Sequence, residues 1–446
     1  MRSRKRTRPE RFRVGRVSLY VHHGAWWLYY RDGRQQVRQK VAQSRIEAEQ
    51  VAAQVNAQIV SSAPTLLAFA PVTVAELRKQ YLSYHENVLR SSLATIRRYR
   101  AATNYLEDFA GAGVKPLRAH ELRADEFVAY LRTIEVTPNG HPHTARRRLR
   151  DKGIRFILET CRAMFTFAGK RRCLPPYAEN PLGDLPLDRL SVEDAKPIFV
   201  FDAETELEFL NAADPWSFAI HFTLAKTGMR VGELVHLLIE DLDLSTGWLH
   251  VRNKVALGWQ IKTRNERDIP LLREVVAVLI RVIGDRIAGP VFLRQRFGNG
   301  SQPRLIGDRG ILERVCAERV VAAGAKLSRA ETLRVMRTVW RDAGAIDPDR
   351  VRTSFCRIMR SIGHPESTCA KSWRHSFATL LQDANVDPLV RQITLGHAPS
   401  NRGPLGMTAN YTHTRPATQR RQIEHALRRW PKSLVLAHRF AEEHES

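Results

Sequence analysis

The sequence predicts a multidomain, mainly α-helical protein: an N-terminal module of three strands and a helix, a helical bundle, and a mixed α+β final half with a small antiparallel sheet. Three observations lead there. Aromatic and β-branched runs of strand length are confined to residues 17–41 and 248–271. Elsewhere apolar residues recur mostly at helical spacing. Two breaks, residues 61–71 and a stretch punctuated by Pro175, Pro176, Pro181, Pro186 and Pro197, divide the 446 residues into pieces of ordinary domain size.

Residues 1–62 form the first unit. Eight of the first sixteen residues are basic and only Glu10 is acidic. This start reads as a flexible arm that neutralises phosphates, Arg4, Lys5 and Arg6 among its contacts. Residues 17–21, 26–31 and 36–41 are the strands, the last two joined at the turn signal Asp32-Gly33. Ser44, with Glu47 three residues on, opens a helix to about Val60. Such a sheet backed by a helix is a common DNA-reading module; the other reading is a capping subdomain with a solvated basic face. Tyr20, Tyr29 and Tyr30 are core residues or DNA contacts.

Residues 72–176 read as helical throughout, with helices from Thr73 to about Glu86 and over 92–109, 123–132 and 146–167. Arg97, Arg98, Arg146 and Arg147 are expected on these helices, clamping a duplex backbone or lining salt-bridged solvent faces. Residues 177–198 are a linker. In residues 199–416, helices over 204–212 and 216–226 precede a break at Thr227-Gly228 and a new helix near Arg230. Segments 248–252, 259–262 and 268–271 supply the sheet, and more helices follow. Residues 417–446 are a tail: a helix over 419–430, then an apolar segment that docks on another protomer or on its own domain.

Composition narrows the function. Against 46 Asp+Glu stand 71 Lys+Arg, a formal charge of +25, and so large an excess implies a polyanionic partner. No apolar run approaches the roughly 18–20 residues that cross a bilayer. The basic start has no apolar stretch behind it, so a secretory signal is not expected. Five cysteines without a CxxC pair argue against a disulfide framework and a zinc ribbon. The expectation is a cytoplasmic, nucleoid-associated protein that meets double-stranded DNA, with no membrane partner.

Chemistry concentrates in the last half. Arg230 and Glu233 lie on the N-terminal continuation of a stripe formed by Leu234, Leu237 and Leu238. A charged pair aimed along a buried side needs a partner; either Glu233 orients the arginine for an external anion, or the two are a structural ion pair. The arrangement recurs in Lys371-Ser-Trp-Arg374-His375, one turn before Phe377, Ala378 and Leu381, with cations at a helix start where phosphate is favoured. Two helices each delivering an arginine suggest a clamp on one phosphodiester. His375 reads as a structural partner.

Five motifs then occur in order: Thr227-Gly-Met-Arg230-Val-Gly-Glu233-Leu, Lys262-Thr-Arg-Asn-Glu-Arg-Asp-Ile-Pro270-Leu, Arg374-His-Ser-Phe-Ala-Thr, Leu395-Gly-His397 and Asn410-Tyr411-Thr-His413. Together they resemble the tyrosine recombinase (phage integrase) family over residues 199–416. Residues 72–176 resemble its core-binding domain, and the first unit resembles the arm-site domain of some integrases. The resemblance implies that Tyr411 attacks the scissile phosphate to leave a 3′-phosphotyrosyl enzyme. Arg230 and Arg374 would grip the non-bridging oxygens, Lys262 would protonate the leaving 5′-oxygen, His397 would assist, and Glu233 would buttress the arginine. It implies no cofactor and no metal, since the covalent link keeps the phosphodiester's energy. The sequence agrees, with no GxxxxGK[ST] loop and no acidic cluster suited to two-metal chemistry. Partners implied are core-type and arm-type DNA sites, further copies of the chain in a tetramer, and a host DNA-bending or directionality factor.

Two features depart from the family pattern. Lys371 stands where histidine is usual, and lysine is a poorer proton acceptor at neutral pH. Tyr411 follows His397 by more residues than usual, as if a loop were inserted around 401–405, and the long interval between Lys262 and Arg374 implies extra helices over roughly 309–362. Two other readings stay open: a type IB topoisomerase, which shares the chemistry but relaxes one duplex, and a catalytically idle DNA-binding regulator.

Overall fold

The computed structural model describes residues 10–32, 35–60, 70–137, 144–175, 178–190, 198–299, 301–324, 326–397 and 414–442. The chain divides into two compact units, residues 1–196 and 197–446.

In the first unit β1 (Arg11–Val14), β2 (Val17–His22), β3 (Ala25–Asp32) and β4 (Gln35–Ala42) form an antiparallel sheet in chain order, backed by α1 (Arg45–Val60). Four strands stand where three were expected. Residues 11–14 are part of the sheet because they alternate Arg-Phe-Arg-Val: Phe12 and Val14 pack on the core and the arginines stay exposed. Val17, Leu19, Leu28 and Tyr30 bury against Ala48, Ala52 and Val55 of α1. The pleat therefore sends Tyr20 and Tyr29 to the other face. There Arg11, Tyr20, Trp27 and Lys40 make one cross-strand row, and Arg13, Ser18, Tyr29 and Arg38 the next.

The bundle comprises α2 (Val74–Ser83), α3 (Leu93–Gly111), α4 (Ala124–Thr133) and α5 (Asp151–Lys170). Thr73 and Glu76 form a reciprocal cap on α2, and Ser92 caps α3. Leu77, Tyr81, Leu106, Phe127, Ile154 and Phe165 make its core. One correction falls on the basic residues. Arg146 and Arg147 are not in a helix, because β6 (Arg147–Arg148) pairs with β5 (Glu135–Val136) and Leu149 N–H donates to the Ile134 carbonyl. With those backbone groups committed to a ladder, α5 starts only at Asp151. Arg97 and Arg98 do sit on α3, the latter with its guanidinium 4.4 Å from the Phe156 ring centre. Arg4, Lys5 and Arg6 lie outside the described residues.

The second unit is organised round α7 (Pro215–Thr227), buried at every residue from Ser217 to Thr227, as expected of a helix apolar on all sides. Packed round it are α6 (Ala203–Asn211), α9 (Arg273–Ile283), α12 (Pro348–Ser361) and α13 (Ser372–Asp383). The small antiparallel sheet runs β7 (Leu242–Asp243), β8 (Trp248–Val251), β9 (Arg267–Pro270). Residues 259–262, expected as a strand, are not one: the Trp259 N–H and carbonyl both pair with Lys254, each at 3.1 Å, closing a small loop instead. In the long interval before Arg374, α10 (Arg309–Ala322) and α11 (Arg329–Asp342) precede α12.

The helix after Arg230 is also shorter than expected, the single turn α8 (Val231–Leu234). It stops because Ile239 N–H donates to the Gly289 carbonyl and Val291 N–H to the Leu237 carbonyl. Leu237 and Leu238 are buried, but beyond the helix. The chain ends in α14 (Pro388–Leu395), α15 (Pro416–Leu427) and α16 (Pro431–Glu442). In the single chain α16 packs on its own unit. Leu434 and Ala437 are buried, Lys226 Nζ donates to Ser433 Oγ at 2.9 Å, and the Phe440 ring lies 4.8 Å from Phe218.

Two buried histidines should make this unit less stable in acid. Burial pushes His221 down to about 3 and His236 down to about 4. Both rings are neutral in the fold yet take a proton near 6.5 once unfolded. The stability they allow is thus complete above that value and falls as pH drops below it, by about 2 kcal/mol each at pH 5. Urea unfolding at pH 7 and pH 5 should show this loss, flattened in His221→Gln; parallel profiles for both proteins would refute it.

Candidate active site

The site is built where α7 ends. Gly228 takes φ +61°, and a Cβ there would lie 2.4 Å from Phe377 Cδ1. Glycine lets the end of α7 abut α13, on which Phe377 follows Arg374 by one turn. Arg374 Nη1 then donates to the Gly228 carbonyl at 2.9 Å, while two residues beyond Gly228 the chain presents Arg230 as the N-cap residue of α8. Trp373 locks α13 from behind: it is fully buried, stacks on Phe201 at 3.8 Å and donates to His221 Nδ1 at 3.2 Å.

Glu233 is the hub. Its carboxylate accepts from the Arg230 backbone N–H at 2.9 Å and from Arg230 Nη1 at 2.8 Å. From the other side Arg267, the first residue of β9, donates to both of its oxygens, at 3.1 and 2.7 Å. Arg267 Nε also donates to the Thr394 carbonyl at 2.8 Å, joining β9 to the end of α14. That helix ends at Gly396, φ +66°, where a Cβ would meet Arg267 Cδ at 2.8 Å. Arg374 Nη2 donates to the Leu395 carbonyl and lies 3.2 Å from His397 Nε2. Thr263 Oγ1 donates to the Gly396 carbonyl at 3.2 Å, holding the turn that carries Lys262 against the same corner.

Two guanidiniums thus share one buried carboxylate and a third, Arg374, is held beside them by backbone carbonyls, and the surplus positive charge calls for an anion. Burial pushes the Glu233 carboxyl up, but hydrogen bonds and charge from Arg267 and Arg230 bring it below its ordinary value. Burial, then the charge of Arg230, lowers Arg374 to about 10, so it remains a cation at neutral pH. Burial followed by the charges of Arg374, Arg230 and Arg267 lowers His397, leaving the imidazole neutral, with Nε2 able to accept from Arg374 and the proton on Nδ1. The Arg230 side chain remains 24% exposed, so part of it is open to an incoming anion.

Arg230, Glu233, Arg374 and His397 therefore meet in one cluster, with the Lys262 turn beside it. Lys262 and Lys371 are exposed, the latter at the N-cap of α13. Tyr411 and the expected loop at 401–405 lie outside the described residues. Arg267 was missed as a site residue. Its signal was faint: a third cation in Lys262-Thr-Arg-Asn-Glu-Arg267, at a strand position that alternation alone sends inward.

Residues 200–418 match the sequence model of the phage integrase family. No curated protein matches the chain. Among solved structures, a fragment of the Tn1549 transposon integrase in complex with transposon right end DNA is similar at 20% identity and TM-score 0.51, covering 79% of this chain and 99% of that one. The same integrase fragment in complex with circular intermediate DNA gives 20% identity, TM-score 0.50 and the same coverages. These likenesses establish a common fold. Since the matched family region contains the whole arginine cluster, the chain belongs to the phage integrase family, the tyrosine recombinases.

Proposed function

We propose that this chain is a site-specific DNA recombinase of a mobile element, cleaving and rejoining DNA through a 3′-phosphotyrosyl link and exchanging strands by way of a Holliday junction. The observation that carries the reading is the convergence of Arg230 and Arg374 with His397 round one buried carboxylate, with the Lys262 turn against the same corner. Such a cluster has the charge to bind a phosphodiester and the fixed donors to stabilise the extra charge of a five-coordinate transition state.

In this scheme Tyr411 Oη attacks phosphorus, the P–O5′ bond breaks, and a proton passes from Lys262 Nζ to the departing O5′. Arg230 and Arg374 hold the non-bridging oxygens, His397 hydrogen-bonds the phosphate or helps move the tyrosine proton, and Lys371 adds charge at the start of α13. Rejoining is the reverse, with the 5′-hydroxyl of the exchanged strand as nucleophile. No step needs a metal or nucleotide. Residues 199–416 are the catalytic domain, and residues 72–176 hold core-site DNA through groups such as Arg97, Arg98, Arg146 and Arg147. Residues 1–62 read arm-type sites with the basic, aromatic face of the sheet and the Arg4, Lys5 and Arg6 arm. The Tn1549 integrase structures hold transposon-end and circular-intermediate DNA, and DNA of the same kind is the substrate proposed here, synapsed by four copies of the chain.

The test is a supercoiled plasmid carrying the element's own end sequences, incubated with a linear partner site. Recombinant and four-way junction products are expected. Relaxed plasmid with neither would favour a topoisomerase.

A further inference from the structure

We propose that the helices inserted before Arg374 brace the catalytic lysine: His236, Trp259 and Trp340 form a stack of positioning residues that sets where Lys262 points. The proposal rests on the reading of Lys262 as the proton donor to O5′.

The lysine sits on a long connection, residues 252–266, between β8 and β9. A segment of that length with a free lysine would wander, and a general acid displaced by about 1 Å can lose about 10²-fold in rate. The connection is pinned at three levels. At its base Lys254, 1% exposed, pairs with Asp241 at 2.7 Å, and the Lys254–Trp259 backbone bridge closes the inner loop. Nearer the tip Ile261 is buried and donates its N–H to Asn253 Oδ1 at 2.9 Å, and Thr263 is bonded to Gly396. Lys262 lies between these two anchored neighbours and is exposed.

The middle level is the stack. The Trp259 ring lies nearly parallel to His236, centres 5.0 Å apart at 17°. His236 Nδ1 donates to the Gly232 carbonyl at 2.7 Å, so the stack is tied to the same helical turn that Arg230 caps. Trp340, from α11, meets His236 edge-on at 4.7 Å and donates its Nε1–H to the Leu257 carbonyl at 2.9 Å. Behind it Leu312, Cys316 and Val339 of α10 and α11 form a small separate core with Leu238 and Leu257. The inserted pair is therefore keyed to the two segments whose relative placement decides the reaction, the Arg230 turn and the Lys262 connection.

The experiment compares cleavage of two nicked duplexes that differ in one atom: ordinary O5′ at the scissile linkage, or sulfur in its place. A thiolate is a far better leaving group than an alkoxide and departs without a proton. Lys262→Ala should lose roughly 10²–10⁴-fold on oxygen and little on sulfur. Trp259→Ala should lose about 10–100-fold on oxygen and less than about threefold on sulfur, a smaller version of the same pattern. Trp340→Phe keeps an aromatic ring in that small core but gives up the pyrrole half of the indole and, with it, the bond to Leu257. It should show the same selective loss at about 2–10-fold, and it keeps the test open if Trp259→Ala fails to fold. If Lys262→Ala is rescued by sulfur but the tryptophan variants lose equally on both duplexes, or lose nothing, the brace is wrong. If Lys262→Ala is not rescued, the lysine's assigned role fails, and the brace with it.

Discussion

Tyr411→Phe should abolish covalent capture of DNA altogether. On a duplex nicked beside the cleavage site, the wild-type chain should accumulate a protein–DNA adduct that survives denaturant, because the short cleaved strand diffuses away before it can rejoin. The variant should form none, since phenylalanine offers no oxygen to phosphorus and no other residue in the proposed site is placed as nucleophile. A free phenol titrates near 10, so the proposed attack at neutral pH would rely on positive charge, which Arg230, Arg374 and Arg267 carry in excess of the one carboxylate. Affinity for the intact duplex should change less than about threefold, because one hydroxyl adds little to a contact dominated by phosphates. Adduct formation by Tyr411→Phe would move the nucleophile elsewhere and collapse the proposed chemistry.

Arg374→Ala should be the next most damaging change. Loss of one fixed donor to a developing oxyanion costs roughly 10²–10³ in rate, and here the donor is a buried cation. The same change leaves the Gly228 and Leu395 carbonyls without their partner. Unpaired buried polar groups cost about 1–3 kcal/mol each, so thermal unfolding of this unit should also shift down by several degrees. Arg374→Lys separates the effects. It keeps a cation, but an ammonium does not reproduce a planar fork reaching both carbonyls and a phosphate. Its single-turnover cleavage should remain at least about tenfold below wild type. Full cleavage by Arg374→Lys would show that the site needs only charge at that position.

Much of the architecture was legible because its signals are local. Ser44 and Thr73 cap the helices that were expected to begin at them, each by a side chain reaching a backbone N–H three residues on. The errors share a different origin. Arg146–Arg148 look helical on propensity, and residues 259–262 look like a strand. Both are overruled by backbone partners that sequence patterning does not reveal, Glu135–Val136 in one case and Lys254 in the other. The Arg230 helix shrank to one turn for the same reason, its next residues pairing with 289–291.

What the sequence determined by itself is the chemical inventory and its order: which residues can carry positive charge, a proton or a nucleophile, and which glycines free the chain to turn beside them. Residue type and spacing suffice for that, because each motif is a few consecutive positions. Only the tertiary structure decided how charge is shared. It made Glu233 the common acceptor of Arg230 and Arg267, set Arg374 against His397, and keyed the inserted helices to the Lys262 connection. Those are pairings between segments far apart in the chain, and burial makes them exclusive: once water is gone, each carboxylate oxygen and each carbonyl must take the donor that packing brings within reach.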